Sequence, residues 1–147
     1  MKTIQFADAE RLEGAGYVLY RMLNPTTVGS KKFMSFVVEV HPGGAIPEHT
    51  HGPAEVGLHV LDGKASVIID GQEELAEPGT AIHVPTGSTI GLTNVDEGVL
   101  RLIAVLLCVC WGNAERCSQA LEILGTRPIA GRYPQMDGWF VEQFVDQ

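Results

Sequence analysis

The chain has 147 residues, enough for one domain with a continuous apolar core and no need of disulfide or metal staples. Ten Lys and Arg against eighteen Asp and Glu leave a net charge of −8, and only Lys31 and Lys32 are adjacent basic residues. That distribution argues against a nucleic-acid partner, which needs a concentrated basic face. The start, MKTIQFADAE, has no apolar signal region. The longest apolar run, Leu100 to Trp111, is too short to span a bilayer and carries Arg101, so the chain reads as a soluble, cytoplasmic protein with no membrane partner.

Seventeen glycines and eight prolines punctuate short runs rich in Val and Ile, the pattern of an all-β sandwich or barrel. In chain order, Phe6 to Glu13 is expected to form one short helix ending before Gly14. Strands are expected at Tyr17 to Leu23, Lys32 to Val40, Val56 to Leu61, Ala65 to Ile69, Glu73 to Ala76, Ala81 to Val84, Ile90 to Asn94 and Leu100 to Cys110. Asp70 and Gly71 are the two-residue turn of a hairpin, and Asp62-Gly63 and Glu77 to Thr80 mark further reversals. A second helix is expected from an N-cap at Asn113 to a stop at Gly125, with Cys117, Ala120, Leu121 and Leu124 on one face. The tail from Thr126 to Gln147 holds Tyr133, Trp139, Phe140 and Phe144, which suits an ordered wrap over apolar surface better than a disordered extension.

Three cysteines cannot all pair within one chain. Cys108 and Cys110 would face the same side of a strand. A thiolate site with Cys117 and burial as small apolar residues are the two readings, and burial fits better because no second Cys pair with zinc-site spacing follows. Structural disulfides are not expected.

All five histidines fall between positions 41 and 83. His49 and His51, spaced H-x-H, place both imidazoles on one side of an extended chain, where they can reach a common point inside a barrel. Two imidazoles so placed are a way for a β protein to hold a metal ion. The stretch from Pro42 to Gly63, with Gly43, His49, His51 and Gly63, resembles the first motif of the cupin superfamily. The stretch from Gly79 to Asn94, with Gly79, Pro85, Gly87 and Asn94, is similar to the second.

The resemblance implies a single-domain cupin, a β-sandwich barrel or jelly roll over residues 1–147, with one divalent metal ion and a homodimeric assembly. Two positions depart from the family pattern. The metal-binding glutamate is expected where the chain has Val56, with Glu55 one residue early, and the last histidine is expected where it has Ile90. A one-residue displacement turns Glu55 to the opposite face unless a bulge near Gly52-Pro53 re-aims it. His59 and His83 are the candidates to complete a four-histidine site with His49 and His51. The competing reading of His59 is an outward position, given that Val56, Leu58 and Val60 line the interior. His41 and Glu55 are candidates to move a proton or to orient a ligand.

An imidazole-rich site without a carboxylate favours zinc or iron, with nickel, copper or manganese as further candidates. The resemblance then implies a small-molecule enzyme in which the metal is a Lewis acid, of the cyclase or isomerase type, and points most toward cupin cyclases of aromatic polyketides. The alternatives are a non-catalytic small-molecule-binding cupin with a degenerate metal site and an iron-dependent dioxygenase.

Overall fold

The computed structural model describes residues 1–107 apart from Lys31 and Pro53. A single 3-10 turn at Phe6–Asp8 precedes ten strands and one short helix: β1 (Glu10–Gly14), β2 (Tyr17–Leu23), α1 (Pro25–Val28), β3 (Phe33–Val40), β4 (Ala45–Thr50), β5 (Glu55–Asp62), β6 (Ala65–Ile69), β7 (Gln72–Ala76), β8 (Ala81–Val84), β9 (Thr89–Asn94) and β10 (Leu100–Leu107). They form two antiparallel sheets, one ordered β1-β2-β3-β10-β5-β8 and the other β4-β9-β6-β7. The fold is the all-β sandwich expected. No helix among the described residues is long and apolar enough to cross a membrane. The expected helix from Asn113 and the tail from Thr126, with all three cysteines, lie outside the described residues.

Alternation builds the core. In β3, Met34, Phe36, Val38 and Val40 are buried while the residues between them are not. β10 repeats this with Leu100, Leu102, Ala104 and Leu106, and β5 with Val56, Leu58 and Val60. The opposite sheet contributes Ile46, Val67, Ala65, Ile90 and Leu92 to the same cluster. Each set has the period of two that turns one strand face to the interior.

The hairpin at Asp70-Gly71 forms as expected, with φ of 49° and 81° at the two turn residues, the positive pair that matches the twist of tight hairpins. Gly63, at φ 81°, packs so closely that an added Cβ would sit 2.9 Å from the Cα of Leu100. Asn94, the last residue of β9, ties the turn that follows it to the end of β3. Its Nδ2 donates to the carbonyls of Val40 (2.9 Å) and Gly98 (2.8 Å), and its Oδ1 accepts from the amide of Asp96 (2.8 Å).

Three elements differ from the sequence reading, one of them the single helical turn α1, which no expected element covers. The expected helix over Phe6 to Glu13 is a 3-10 turn followed by β1, because Ala9 turns extended (φ −70°, ψ 140°) and ends the turn. From Glu10 on, the residues alternate against β2, with Leu12 opposite Leu19 and Glu10 opposite Arg21. Pairing with a neighbouring strand outweighs a weak local helix preference. The third difference is β4 itself, which carries His49.

Candidate functional site

β4 crosses the glycine-rich segment between the Pro42-Gly43 turn and His51, and a bulge sets which of its side chains face inward. Ile46 lies opposite Leu92 and His49 opposite Ile90, so β4 advances three residues while β9 advances two. Ile46 and His49, an odd number of residues apart, thus both face the interior. The bulged pair is Pro47, which has no amide proton to leave unpaired, and Glu48, which packs over Gly91. A Cβ at Gly91 would meet Glu48 Cγ at 2.9 Å and its amide nitrogen at 3.2 Å.

After the bulge, normal alternation brings His51 to the same side as His49. The two Nε2 atoms are 3.3 Å apart and the rings meet edge to face, 4.7 Å between centroids. His49 Nδ1 donates to the Pro47 carbonyl at 2.7 Å. A carbonyl oxygen only accepts, so the proton of a neutral His49 sits on Nδ1 and the Nε2 lone pair points at His51. Burial lowers the pKa of both rings. His51, the deeper of the two, is lowered to about 3 by desolvation first and by the neighbouring His49 second, and His49 is lowered by desolvation against the opposing effect of the Pro47 carbonyl. Both are neutral at pH 7, the state in which imidazole binds a metal.

The pair borders a narrow cavity of about 40 Å³, whose other walls are apolar, among them Phe36, Val56, Leu58, Ile90 and Leu106. Val56 and Ile90, the positions where the cupin motifs expect a glutamate and a histidine, are therefore both in the wall of this cavity. Ile90 is the direct register partner of His49.

The remaining candidates are not brought to the pair. β5 has no bulge at its start. Glu55 is opposite Leu107 and Val56 opposite Leu106 in unbroken alternation, so Glu55 faces the outer surface. His59 is exposed on the same face, opposite Ala81, because an even number of residues from His51 counts for nothing once the chain has turned between β4 and β5. His83 is on that face too, opposite Gly57, and its Nε2 is hydrogen-bonded to Glu55 Oε1. That contact is a diagonal cross-strand pair over a residue with no side chain. His41 is exposed in the turn after β3 and does not line the cavity. A four-histidine centre with His59 and His83 does not form, and neither Glu55 nor His41 is placed to move a proton at the pair.

Whether the pair suits a metal ion can be tested on its own geometry. Two nitrogens roughly 2.0–2.1 Å from a tetrahedrally held zinc lie about 3.3–3.4 Å apart, and the observed separation is 3.3 Å. The pair fits as two ligands of such an ion. It does not supply a third, since no three His, Cys, Asp or Glu side chains gather as a metal site among the described residues. What the site offers is two neutral, converging imidazoles at an apolar wall.

The comparisons with known proteins agree with this fold. The chain resembles the Cnp3 cupin domain of Schizosaccharomyces pombe (14% identity over 85% of this chain and 81% of that one, TM-score 0.64). It also resembles a predicted oxalate decarboxylase of Thermotoga maritima (16%, 74% and 100%, TM-score 0.65). A third likeness is to the polyketide cyclase RemF of Streptomyces resistomycificus (26%, 74% and 80%, TM-score 0.63). No curated protein matches the chain by sequence. The cupin domain profile matches residues 36–109, which run from β3 through both motif regions to the end of β10; with that match over half its length, the chain belongs to the cupin family.

Proposed function

We propose that this chain is a metal-dependent cupin enzyme that acts on a small oxygenated organic molecule, with His49 and His51 holding the ion. The observation that carries the reading is the convergence of two neutral Nε2 atoms, 3.3 Å apart, at the wall of an apolar cavity. An ion there, zinc or iron, would supply Lewis-acid polarisation of a carbonyl or enol oxygen. The chain's own residues have three tasks. The Pro47 carbonyl fixes the tautomer and ring orientation of His49. Burial keeps both rings unprotonated. The aliphatic wall excludes water, which strengthens any electrostatic interaction made inside it. Val56 and Ile90 add no donor, so most coordination positions of an ion held here are left to water or substrate. The 26% identity to a polyketide cyclase supports the cyclase type among the Lewis-acid reactions.

A second reading, a small-molecule-binding cupin without chemistry, is favoured by the two aliphatic residues where the motifs expect ligands. Metal content separates the two. The full chain, purified without a tag, is analysed by elemental mass spectrometry beside His49→Ala/His51→Ala, with circular dichroism as the check on folding. Near-stoichiometric metal that is lost in a folded double variant supports the enzyme. A wild type that takes up no zinc, iron(II), nickel or manganese on reconstitution overturns it and leaves the binding module. The homodimer belongs to the same proposal, with the outer face of the six-stranded sheet, where Val37, Ile103 and Val105 are half-buried, as the contact surface. Sedimentation equilibrium reads it directly.

A further inference from the structure

A second concavity opens on another side of the sandwich. β7 and β8 are end strands of opposite sheets, and between them the described residues leave a cleft of about 510 Å³, a size that small organic ligands fill. Its cause is the inward face of β7. Ala76 is buried opposite Ala65 and closes one end. The next two residues on that face are Glu74 and Gln72, opposite Val67 and Ile69. A carboxylate and an amide occupy positions that a closed sandwich gives to apolar side chains, so the sheet edges do not meet there. Val67 and Ile69, with Ile82 and Pro85 from across the gap, are left as an apolar lining. An apolar floor with a few convergent polar groups is the usual make-up of a small-molecule site.

The cleft is also tied to the imidazole pair by register. Gln72 pairs with Ile69, Ile69 with Ile90, and Ile90 with His49. The four residues form one row across the inner face of the four-stranded sheet, spanning three strand spacings or about 14 Å. Ile69 and Ile90 are the partition between the cleft and the histidines.

We propose that this cleft is a second small-molecule site, separate from the imidazole pair, and that its ligand is an uncharged, mostly apolar ring compound whose hydroxyl groups donate to Glu74 and Gln72. The carboxylates of Asp70 and Glu74 line the cleft with the neutral polar groups of Gln72 and Thr80; His83 also borders it, with its Nε2 hydrogen-bonded to Glu55, and no Lys or Arg does. Asp70 at its rim accepts from the amide of Thr89 at 2.9 Å, which holds it in the charged form. Carboxylate and phosphate ligands are disfavoured by both carboxylates. This site goes beyond the reading of the imidazole pair, is additional to it and does not require the ion.

The test is an NMR titration of the ¹⁵N-labelled full chain with dihydroxynaphthalene and, separately, with naphthoate, each with and without zinc. Saturable shifts of the dihydroxy compound on residues 67–76 and 80–84 are expected, with naphthoate weaker by about tenfold or more. Gln72→Trp, on an exposed strand edge that tolerates an aromatic residue, should fill the cleft and weaken the dihydroxy compound by a similar factor while zinc uptake is unchanged. Glu74→Lys should reverse the order of the two probes. Shifts confined to His49 and His51, no saturable shift in the wild type, or indifference to Gln72→Trp would each overturn the proposal. Zinc uptake is read in the same samples: a cleft that titrates without zinc uptake leaves this site standing and removes the metal reading, and zinc uptake with a silent cleft does the reverse.

Discussion

His51→Leu should change how stability depends on pH. In the metal-free protein the folded-state pKa of His51 is about 3, against 6.5 for the free side chain. Between those values the unfolded chain binds a proton that the folded chain refuses, so stability falls as pH falls below about 6.5. The loss grows by about 1.4 kcal/mol per pH unit, and His51 alone makes the fold about 2 kcal/mol less stable at pH 5 than at pH 7.5. The lowered pKa of His49 acts in the same direction. Urea unfolding followed by circular dichroism, with chelator present, gives the stability of wild type and variant at the two pH values. The carboxylates titrate in both proteins, so the difference between wild type and variant isolates the imidazole. That difference should shift by about 2 kcal/mol in favour of the leucine variant on acidification. A difference that stays constant between the two pH values would refute the idea that His51 is held neutral by burial. Zinc at a hundred times its dissociation constant should then raise wild-type stability at pH 7.5 by about 2.7 kcal/mol and leave His51→Leu unchanged.

Three further perturbations probe the site and its support. Ile90→His places a third imidazole opposite His49 on the adjoining strand; zinc affinity by competition with a chromophoric chelator should rise by at least about tenfold, the scale that even an outer partner of a metal ligand commands. Asn94→Ala removes three hydrogen bonds, one of them to the carbonyl of Val40, a residue with no exposure, so denaturant unfolding should show a loss of about 3 kcal/mol, and a loss within error of zero would show that the clamp is idle. Gly91→Ala forces Glu48 out of the bulge; about 1–3 kcal/mol of stability and a measurable part of the zinc affinity should go together, and an unchanged affinity would mean that the bulge does not aim His49.

Much of this architecture was legible in the residues. β2, β6 and β8 have the boundaries their Val- and Ile-rich runs suggest, and β5 extends only one residue beyond its run at each end. These runs of Val, Ile, Leu and Tyr between turn residues favour extended backbone on their own, and β2, β5 and β6 are held there by a neighbour on each side. β4 was not legible as a strand because Pro47 and Glu48 interrupt the alternation where the bulge lies. β1 was not legible because its partner is far in kind from its own weak preference, and only pairing with β2 makes it extended. At the site, H-x-H spacing was sufficient to place His49 and His51 together, since two residues on one strand keep their relative facing whatever the strand does. His59 and His83 could not be placed that way. Their facing depends on register between strands, and the same unbroken register that puts Val56 inward puts Glu55 and His59 outward. The inward polar face of β7 was missed because Gln72 and Glu74 look like ordinary solvent-exposed residues of a hairpin until Ala76 fixes which side is inside.

The bulge in β4 has a chemical consequence larger than its one residue. Without it, alternation from Ile46 would turn Glu48 and Thr50 to the interior and send both imidazoles to the surface. The same hexapeptide would then offer a carboxylate and a hydroxyl, an oxygen-donor lining that suits hard ions such as magnesium, calcium or manganese, in place of a nitrogen-donor lining suited to zinc or iron. One strand thus encodes two alternative donor sets, interleaved, and a half-period phase shift selects between them. In this chain the donor set turned to the interior is written in the spacing of the backbone as much as in the identity of its side chains.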